Sequence, residues 1–488
     1  MRTCLSRLAY VLLALGASGP PAGCEPSRDA AAPAAPSYEM LRRTAVVEVY
    51  QACKESVVNI GYVRKDASDP KVKHTEFASG VVLHPAGFIL TNAHLLRKHD
   101  GQTDGRLMVG FHEDGEYRAR LVAFDEQRDL AILKIDAPRR LKPIRLGRSQ
   151  GLMVGERVVT MGNPFGMGLT VAEGIVSAIG RSTHSDYTTY PDMIQTDATT
   201  NPGSSGGPLL NVSGEMVGLN TTKKLKADNI AFAIPVDRIR ESLPDVLAVE
   251  ARQGVAVGLE VASLGPAEVT TVRDGSPAQQ AGVQVGDVVR RVGGEDVRNG
   301  LDVHLALVGA EGGKPLPVRV LRDGGFRALT LTPRPVPLRP AAAAGDVEPG
   351  LERIAYEGTW EALPDVSTLQ PAATDRVETF DFGPYAGRDG FALVFRGYVQ
   401  VPADGVYAFY TESDDGSRLI VGDQEVVSND GSHPPRRRRG FVALKKGKHP
   451  IAVEYFETSG DEMLEVSWHG PGEVRRPIPA SALFCEKP

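Results

Sequence analysis

Cysteine is nearly absent: Cys4, Cys24, Cys53 and Cys485 are the only four in 488 residues. So few, so widely spaced, exclude a disulfide framework, and no C-x-x-C pair exists to hold zinc. Cys53 and Cys485 sit at opposite ends of the chain, so pairing them would require distant domains to meet. Long apolar runs are missing too. The N-terminal run "LAYVLLALGA" (8–17) falls short of the roughly 20 residues that cross a bilayer, and no later segment comes nearer. Positive charge is not in excess, with 55 Lys and Arg against 61 Asp and Glu and a net charge of −6. That excludes a general affinity for nucleic acid. Aromatic residues make up only 6%, whereas Gly (53) and Pro (35) are abundant, a mix that favours strands, tight turns and linkers over long helices. Apolar content of 42% and charged content of 24% are ordinary for soluble domains. The length exceeds one core and implies roughly two to four domains.

The N-terminus reads as an export signal over 1–24. Arg2 and Arg7 precede the short apolar run, and Ala22-Gly23-Cys24 follows it. Two readings of Cys24 stand. It resembles the cysteine of a bacterial lipoprotein signal, which becomes the lipidated first residue, although Pro21 stands where that pattern prefers an aliphatic residue. Alternatively, ordinary cleavage occurs in the Ala-rich stretch. Residues 25–37 then form an Ala/Pro linker.

From 38 to 250, after a helix predicted at 38–54, short apolar runs such as "SGVVLHPAGFILTNAH", "LAILKI", "ERVVTMG" and "NIAFAIP" alternate with Gly-rich turns. That spacing predicts an all-β barrel or sandwich. A helix at 236–251 closes the unit. A second β-rich unit spans 254–333, a Pro/Ala linker spans 334–350, and a third unit spans 351–488. In the third, Ile451, Val453 and Tyr455 share one face, as do Leu464, Val466 and Trp468.

The stretch "NPGSSGGPL" (201–209) carries two adjacent serines. A serine hydroxyl needs a base within reach and donors for the oxyanion it creates. If Ser205 attacks, the amides of Gly203 and Ser205 can converge on one point. If Ser204 attacked, the residue two before it would be Pro202, which has no N–H. Backbone chemistry therefore selects Ser205. The frame also reads G-x-S-x-G, but an α/β-hydrolase elbow needs a helix next and its acid and histidine downstream. Here "PLLNVSGEMVGLN" follows, a strand–turn–strand pattern.

Upstream, "ILTNAHLL" sets His94 on the turn after a strand, and "DLAILKI" opens a strand with Asp129. The order His94, Asp129, Ser205 is that of one known triad arrangement. His84 sits beside Pro85 in a turn, His99 and His112 lie in polar loops, and Asp197 is too close to Ser205 in sequence to be more than structural.

"TNAHLL", "DLAILKI", "MGNPFG", "IQTDATTNPGSSGGPLLNVSGEMVGLNT" and "IAFAIPVDRI" resemble the HtrA family of trypsin-fold serine proteases over residues 40–245. The resemblance implies two six-stranded β-barrels with the site between them. It implies His94 as general base, Asp129 as its orienter, Ser205 as nucleophile, and Gly203 and Ser205 as oxyanion donors. Ser204 departs from the family's usual Asn. The specificity pocket maps onto Thr200, Lys224 and Ile230, and the Lys223-Lys224 pair departs from an apolar lining. Family members act without ATP or other catalytic cofactor on unfolded or damaged proteins, and are trimers.

"VTTVRDGSPAQQAGVQVGDVVRRVGGEDV" (269–297) resembles a PDZ domain. That implies a site for peptide C-termini, with Val257, Gly258 and Leu259 at the carboxylate and Val303 and Leu307 on a groove helix at 301–309. "GYVQVPADGVYAFYTESDDGSRLIVGDQEVVSNDG" and "KKGKHPIAVEYFETSGDEMLEVSW" resemble the carbohydrate-binding domain type named after anthrax protective antigen, a β-sandwich. The likeness implies calcium on Asp414 and Asp415, with Asn429 and Asp430 completing the site and glycan as partner. The plainer reading of "DDG" is a turn. "RRRR" (436–439) reads as a solvated loop, with an acidic polysaccharide or anionic surface as the alternative.

The expectation is a mainly β chain: a trypsin-like double barrel, a PDZ domain and a C-terminal sandwich. Its function would be that of an exported serine endopeptidase of the bacterial periplasm or envelope. A dedicated processing protease and a silent binding or holdase protein remain as rivals.

Overall fold

The structure, a computed structural model, describes residues 42–65, 73–97, 107–112, 114–184, 189–223, 229–343, 345–460, 462–471, 473 and 475–487. The export signal, Cys24, the 25–37 linker and Lys224 lie outside them. Among the described residues no helix is long and apolar enough to cross a membrane.

The chain is mainly β. Helix α1 (Ala45–Cys53) leads into β1 (Val57–Lys65), β2 (Lys73–His84) and β3 (Phe88–Thr91). A short helix, α2 (His94–Arg97), precedes β4 (Leu107–Gly110), β5 (Glu116–Asp125) and β6 (Leu130–Ile135). These six strands close into a barrel in the order β1-β2-β3-β6-β5-β4. Ile89, Leu90, Ile132 and Leu133 are fully buried in and around it. Each such side chain contributes about 1.5–3 kcal/mol of burial.

The second sheet contains β7 (Arg145–Leu146), β8 (Arg157–Gly162), β9 (Thr170–His184), β10 (Thr189–Thr196), β11 (Pro208–Asn211), β12 (Glu215–Lys223) and β13 (Ala231–Pro235). The order β11-β8-β9-β10-β13-β12 closes through a β11–β12 pairing, and β7 adds to β12 in parallel. The double barrel expected from the sequence is therefore present. The closing helix is split: α3 (Val236–Leu247) ends at Ala248, whose φ is +41°, and α4 (Val249–Gln253) follows.

The PDZ unit packs tightly on this body. Helix α5 (Pro277–Gln280) is capped by Ser276, and α6 (Gly300–Leu307) by Asn299. Helix α6 packs on α3. One hydrophobic cluster runs from Val49 through α3 to Leu331, so the double barrel and the PDZ unit share a core. Arg140 pairs with Glu295 at 2.7 Å, and Arg298 donates to the Leu83 carbonyl at 3.0 Å across the same joint.

The stretch 334–350 is no loose linker. Arg339 exchanges backbone bonds with Ala443 and Lys445, and Val347–Pro349 pairs with Leu483–Glu486. Pro and Ala composition signals absence of helix, but an extended chain still docks on a sheet edge. The third unit is a sandwich of an eight-stranded and a four-stranded sheet. The predicted alternation holds, with Ile451, Val453, Tyr455, Val466 and Trp468 buried and Leu464 half-buried against them, and Trp468 stacks on Tyr407 at 5.6 Å. Cys53 and Cys485 are both free and buried.

Candidate active site

Strand β3 ends at Thr91, and the turn that follows starts α2 with His94. Asp129 sits at the mouth of β6 in a turn closed by its amide bond to the Glu126 carbonyl, with a φ of +53° that Asp tolerates better than most residues. Its carboxylate is fully buried. Three donors hold it there: the His94 amide (2.9 Å), His94 Nδ1 (2.9 and 3.0 Å to the two oxygens) and the Thr221 hydroxyl. Asn92 Nδ2 donates to the Asp129 carbonyl at 3.1 Å. A buried charge without such donors would be costly. Burial works against protonation of His94, but the Asp129 charge and hydrogen bond outweigh it, so its pKa is raised. With Nδ1 tied to a carboxylate, the imidazole offers Nε2 as a base.

Ser205 is half-buried, and its hydroxyl donates to the Thr221 carbonyl at 2.6 Å. Thr221 thus touches both Asp129 and Ser205, one through its side chain and the other through its backbone. It lies on β12, 92 residues from Asp129 and 16 from Ser205, and closes the stretch "IQTDATTNPGSSGGPLLNVSGEMVGLNT" without standing out within it. Ser204 is buried, and its oxygen accepts from the Asn201 amide at 3.3 Å, so its side chain is folded under the loop.

Gly203 has a φ of +100°. Its carbonyl accepts from Ser79 Oγ at 2.7 Å, while Ser79 Oγ accepts from the Asn163 amide at 2.8 Å and the Ser79 amide donates to the Ser205 carbonyl at 2.9 Å. Among the described residues neither the Gly203 nor the Ser205 amide donates to a backbone carbonyl. Ser79 therefore fixes this loop from β2, a second residue that sequence reasoning missed. Gly206 shows why glycine is needed: a Cβ there would lie 2.1 Å from the Ser79 carbonyl oxygen.

The rival residues sit elsewhere. His84 is buried, with Nδ1 accepting from the Ala86 amide and Nε2 lying 3.9 Å from Glu295 of the PDZ unit; burial above all lowers its pKa. Asp197 is exposed and accepts from the Ile175 amide at 2.7 Å. Thr200 is half-buried, and Ile230 packs partly buried against the core.

In the PDZ unit the Gly258 amide is engaged. It donates at 2.8 Å to Glu250 of α4, whose other oxygen accepts from Arg273 at 2.6 Å. Val257 is fully buried, while Leu259 on the strand Leu259–Val261 is half-buried. Val303 and Leu307, expected to face a peptide, are 1% and 6% exposed. They belong to the shared core because α6 lies between its own sheet and α3.

Asp414 and Asp415 lie at the end of the strand Gly405–Asp414, followed by a turn in which Asp415 has a φ of +56°. Asp415 is buried. One oxygen accepts from the Ser432 hydroxyl (2.6 Å) and the His433 amide (3.2 Å), the other from the Thr458 amide (2.8 Å). Asn429 spends its amide on Ser413, the Arg436 carbonyl and Arg436 Nε, and Asp430 accepts from the Leu363 and Gly431 amides. Among the described residues no group of three or more His, Cys, Asp or Glu is arranged to hold a metal ion. Through these bonds Asp415 ties three loops together.

The model of a trypsin-like peptidase domain matches residues 78–219, that of a PDZ domain 268–322, and that of a PA14 domain 347–482. The chain is 35% identical over 263 residues to a probable periplasmic serine protease do/HhoA-like of Haemophilus influenzae, covering 50% of this chain and 55% of that one. It is 34% identical over 322 residues to Protease Do-like 1, chloroplastic, of Arabidopsis thaliana, covering 60% and 72%. Among solved structures, the serine endoprotease from Yersinia pestis is 29% identical and covers 60% of this chain and 99% of that one, with a TM-score of 0.35. The chain spans between 55% and 59% of the length of the first curated relatives it matches.

Proposed function

Because the chain belongs to the HtrA family of trypsin-type serine proteases, joined here to a PDZ and a PA14 domain, we propose that it is an ATP-independent serine endopeptidase of the bacterial envelope that cleaves unfolded or damaged proteins. The observation that carries this reading is the buried Asp129 carboxylate on His94 Nδ1, bridged by Thr221 to the Ser205 hydroxyl.

In this mechanism the Ser205 hydroxyl turns from the Thr221 carbonyl toward His94 Nε2. As Ser205 Oγ bonds to the scissile carbonyl carbon, its proton passes to Nε2, and the oxyanion is met by the Gly203 and Ser205 amides. The imidazolium, steadied by Asp129, gives the proton to the leaving amine as the C–N bond breaks. Water then attacks the acyl-enzyme with His94 again as base, releasing the acid and restoring Ser205. Thr200, Lys224 and Ile230 shape the pocket for the substrate side chain.

The PDZ unit docks peptide C-termini at Val257, Gly258 and Leu259, and an incoming carboxylate must displace Glu250 from the Gly258 amide. The C-terminal sandwich tethers the enzyme to glycan. Relatives named periplasmic support export to that compartment, and Cys24 offers a lipid anchor there. The family likeness adds a homotrimer, which light scattering checks. A serine-directed fluorophosphonate tests the chemistry: it is expected to label Ser205 alone, to label more slowly as pH falls through the raised His94 pKa, and to fail at neutral pH when His94 is replaced. An unlabelled protein would favour the silent binding protein, and label on Ser204 would overturn the assignment of Ser205 as nucleophile.

A further inference from the structure

A cavity of about 790 Å³ opens between the first barrel, α4 and the C-terminal sandwich. Its chemistry departs from a chain of net charge −6. The "RRRR" run, expected to be a solvated loop, is the start of the strand Arg436–Leu444 and is half-buried at this joint. Strand alternation puts Arg437, Arg439 and Phe441 on one face.

The carboxylates around the cavity already have partners. Arg128 holds Asp125 (2.9 Å) and Asp245 (3.1 Å), Arg437 holds Glu126 (2.8 Å), and Arg476 holds Glu473 (3.2 Å). Arg252 and Arg439 are not so matched. Both guanidinium groups lie on Phe441, 5.2 and 5.6 Å from its centroid. Each donates to a backbone carbonyl, Arg252 to Leu247 (3.2 Å) and Arg439 to Val246 (2.9 Å). Arg252 Nη2 is buried with no acceptor. Burial, and then the charge of Arg439, push the Arg252 pKa down to about 10. Two like charges and an orphan donor beside an open volume are unfavourable until an anion arrives. An oxyanion between them would satisfy Nη2 and neutralise the repulsion, using the fork geometry that suits guanidinium.

The rest of the lining favours a ligand larger than the anion. Half-buried Tyr410 and His469, tilted 37° to one another with centroids 5.9 Å apart, line the cavity, and Arg475 lies 5.8 Å from the Tyr410 centroid, so a pyranose ring would share this aromatic edge with that guanidinium. The volume lies within the range of small-ligand sites, roughly 300–1,000 Å³. We propose that this cavity is a binding site for an anionic saccharide, with its carboxylate, sulfate or phosphate on Arg252 and Arg439 and its ring against Tyr410. The site is distinct from Asp414 and Asp415, and it spans the joint between the protease and the sandwich. Helix α4, which supplies Arg252, also supplies Glu250 to the PDZ loop, so occupancy would reach both neighbours of the barrel.

The test is calorimetric titration of the mature full chain at low salt with trigalacturonate, maltotriose and inorganic phosphate. Trigalacturonate is expected to bind, weakening as salt rises, while maltotriose does not. Arg252→Gln and Arg439→Gln should each weaken binding by about tenfold or more, and Arg439→Lys, which keeps the charge but loses the fork, by less. Without ligand, each Gln variant should melt no lower than the parent, because one of two like charges is gone; this separates lost binding from lost fold. Absence of binding, or undiminished binding in the Arg252→Gln/Arg439→Gln double variant, would overturn the proposal. Phosphate binding as tightly as trigalacturonate would overturn its saccharide part.

Discussion

Thr221→Val removes one hydroxyl and keeps the shape and the backbone carbonyl that accepts from Ser205. The lost donor is one of three on the fully buried Asp129 carboxylate. Hydrogen bonds to charged groups are worth about 1.5–3 kcal/mol, so the fold should lose stability of that order. If the whole loss also falls on the transition state, kcat/KM drops by roughly 10- to 150-fold. The pH profile gives the sharper reading. The His94 pKa is already raised, with Asp129 prevailing over burial. Neutral imidazole is the working base, so activity should fade as pH drops through that raised value. With one donor gone, the Asp129 charge acts more fully on His94, and the acid limb should move to higher pH. The sign for stability is opposite: a raised folded pKa contributes stability fully present below the unfolded imidazole value and lost as pH rises through the folded one. The assay is cleavage of a reduced, unfolded protein from pH 5 to 9, beside thermal melts. A variant with unchanged rate, profile and melting would refute the argument that Thr221 holds Asp129.

Three further outcomes follow from individual contacts. Ser79→Ala strips the anchor from the Gly203 carbonyl and the Asn163 amide; at about 1–3 kcal/mol for an orphaned buried group, kcat should fall more than KM rises, and an equal change in both would contradict the positioning role. Glu250→Gln loosens the cap on the Gly258 amide. Because the Glu250–Arg273 pair is partly exposed, it is worth at most about 1 kcal/mol, so a fluorescent C-terminal peptide should bind up to roughly fivefold tighter, and weaker binding would reverse the reading. Asp415→Ala leaves the Ser432 hydroxyl and two amides without their acceptor; melting should fall sharply, whereas a chelator should leave the parent's melting unchanged, and a chelator-induced drop would restore calcium to the sandwich.

Much of the architecture was legible because strands repeat every two residues. Burial of Ile451, Val453 and Tyr455 on one face follows from that period alone. Gly-rich turns between short apolar runs pointed as far as a barrel or sandwich, and the resemblance supplied the double barrel. Proline's missing N–H also directed attention to Ser205 rather than Ser204. What local pattern could not carry is contact between distant elements. Thr221 bonds to Asp129, 92 residues away, and Ser79 to Gly203, 124 residues away, and nothing within its own stretch singles out either residue. Val303 and Leu307 carry an ordinary helix-face spacing; α3 from another unit buries the helix that bears them. The arginine run looks like surface until Glu126 of the barrel and Glu412 of the neighbouring strand are seen to hold Arg437 between them. The resemblance marked the Asp414-Asp415 pair for calcium, but not the loop amides and hydroxyl that Asp415 accepts from.

The central claim is that Ser205 attacks and Ser204 only shapes its loop. Digestion of a reduced, unfolded protein by the mature chain, beside Ser205→Ala and Ser204→Ala, tests it most directly. The parent and the Ser204→Ala variant should both cut, and Ser205→Ala should not. Cleavage that survives in Ser205→Ala, or a parent that stays inert even with C-terminal peptides added, would contradict the account.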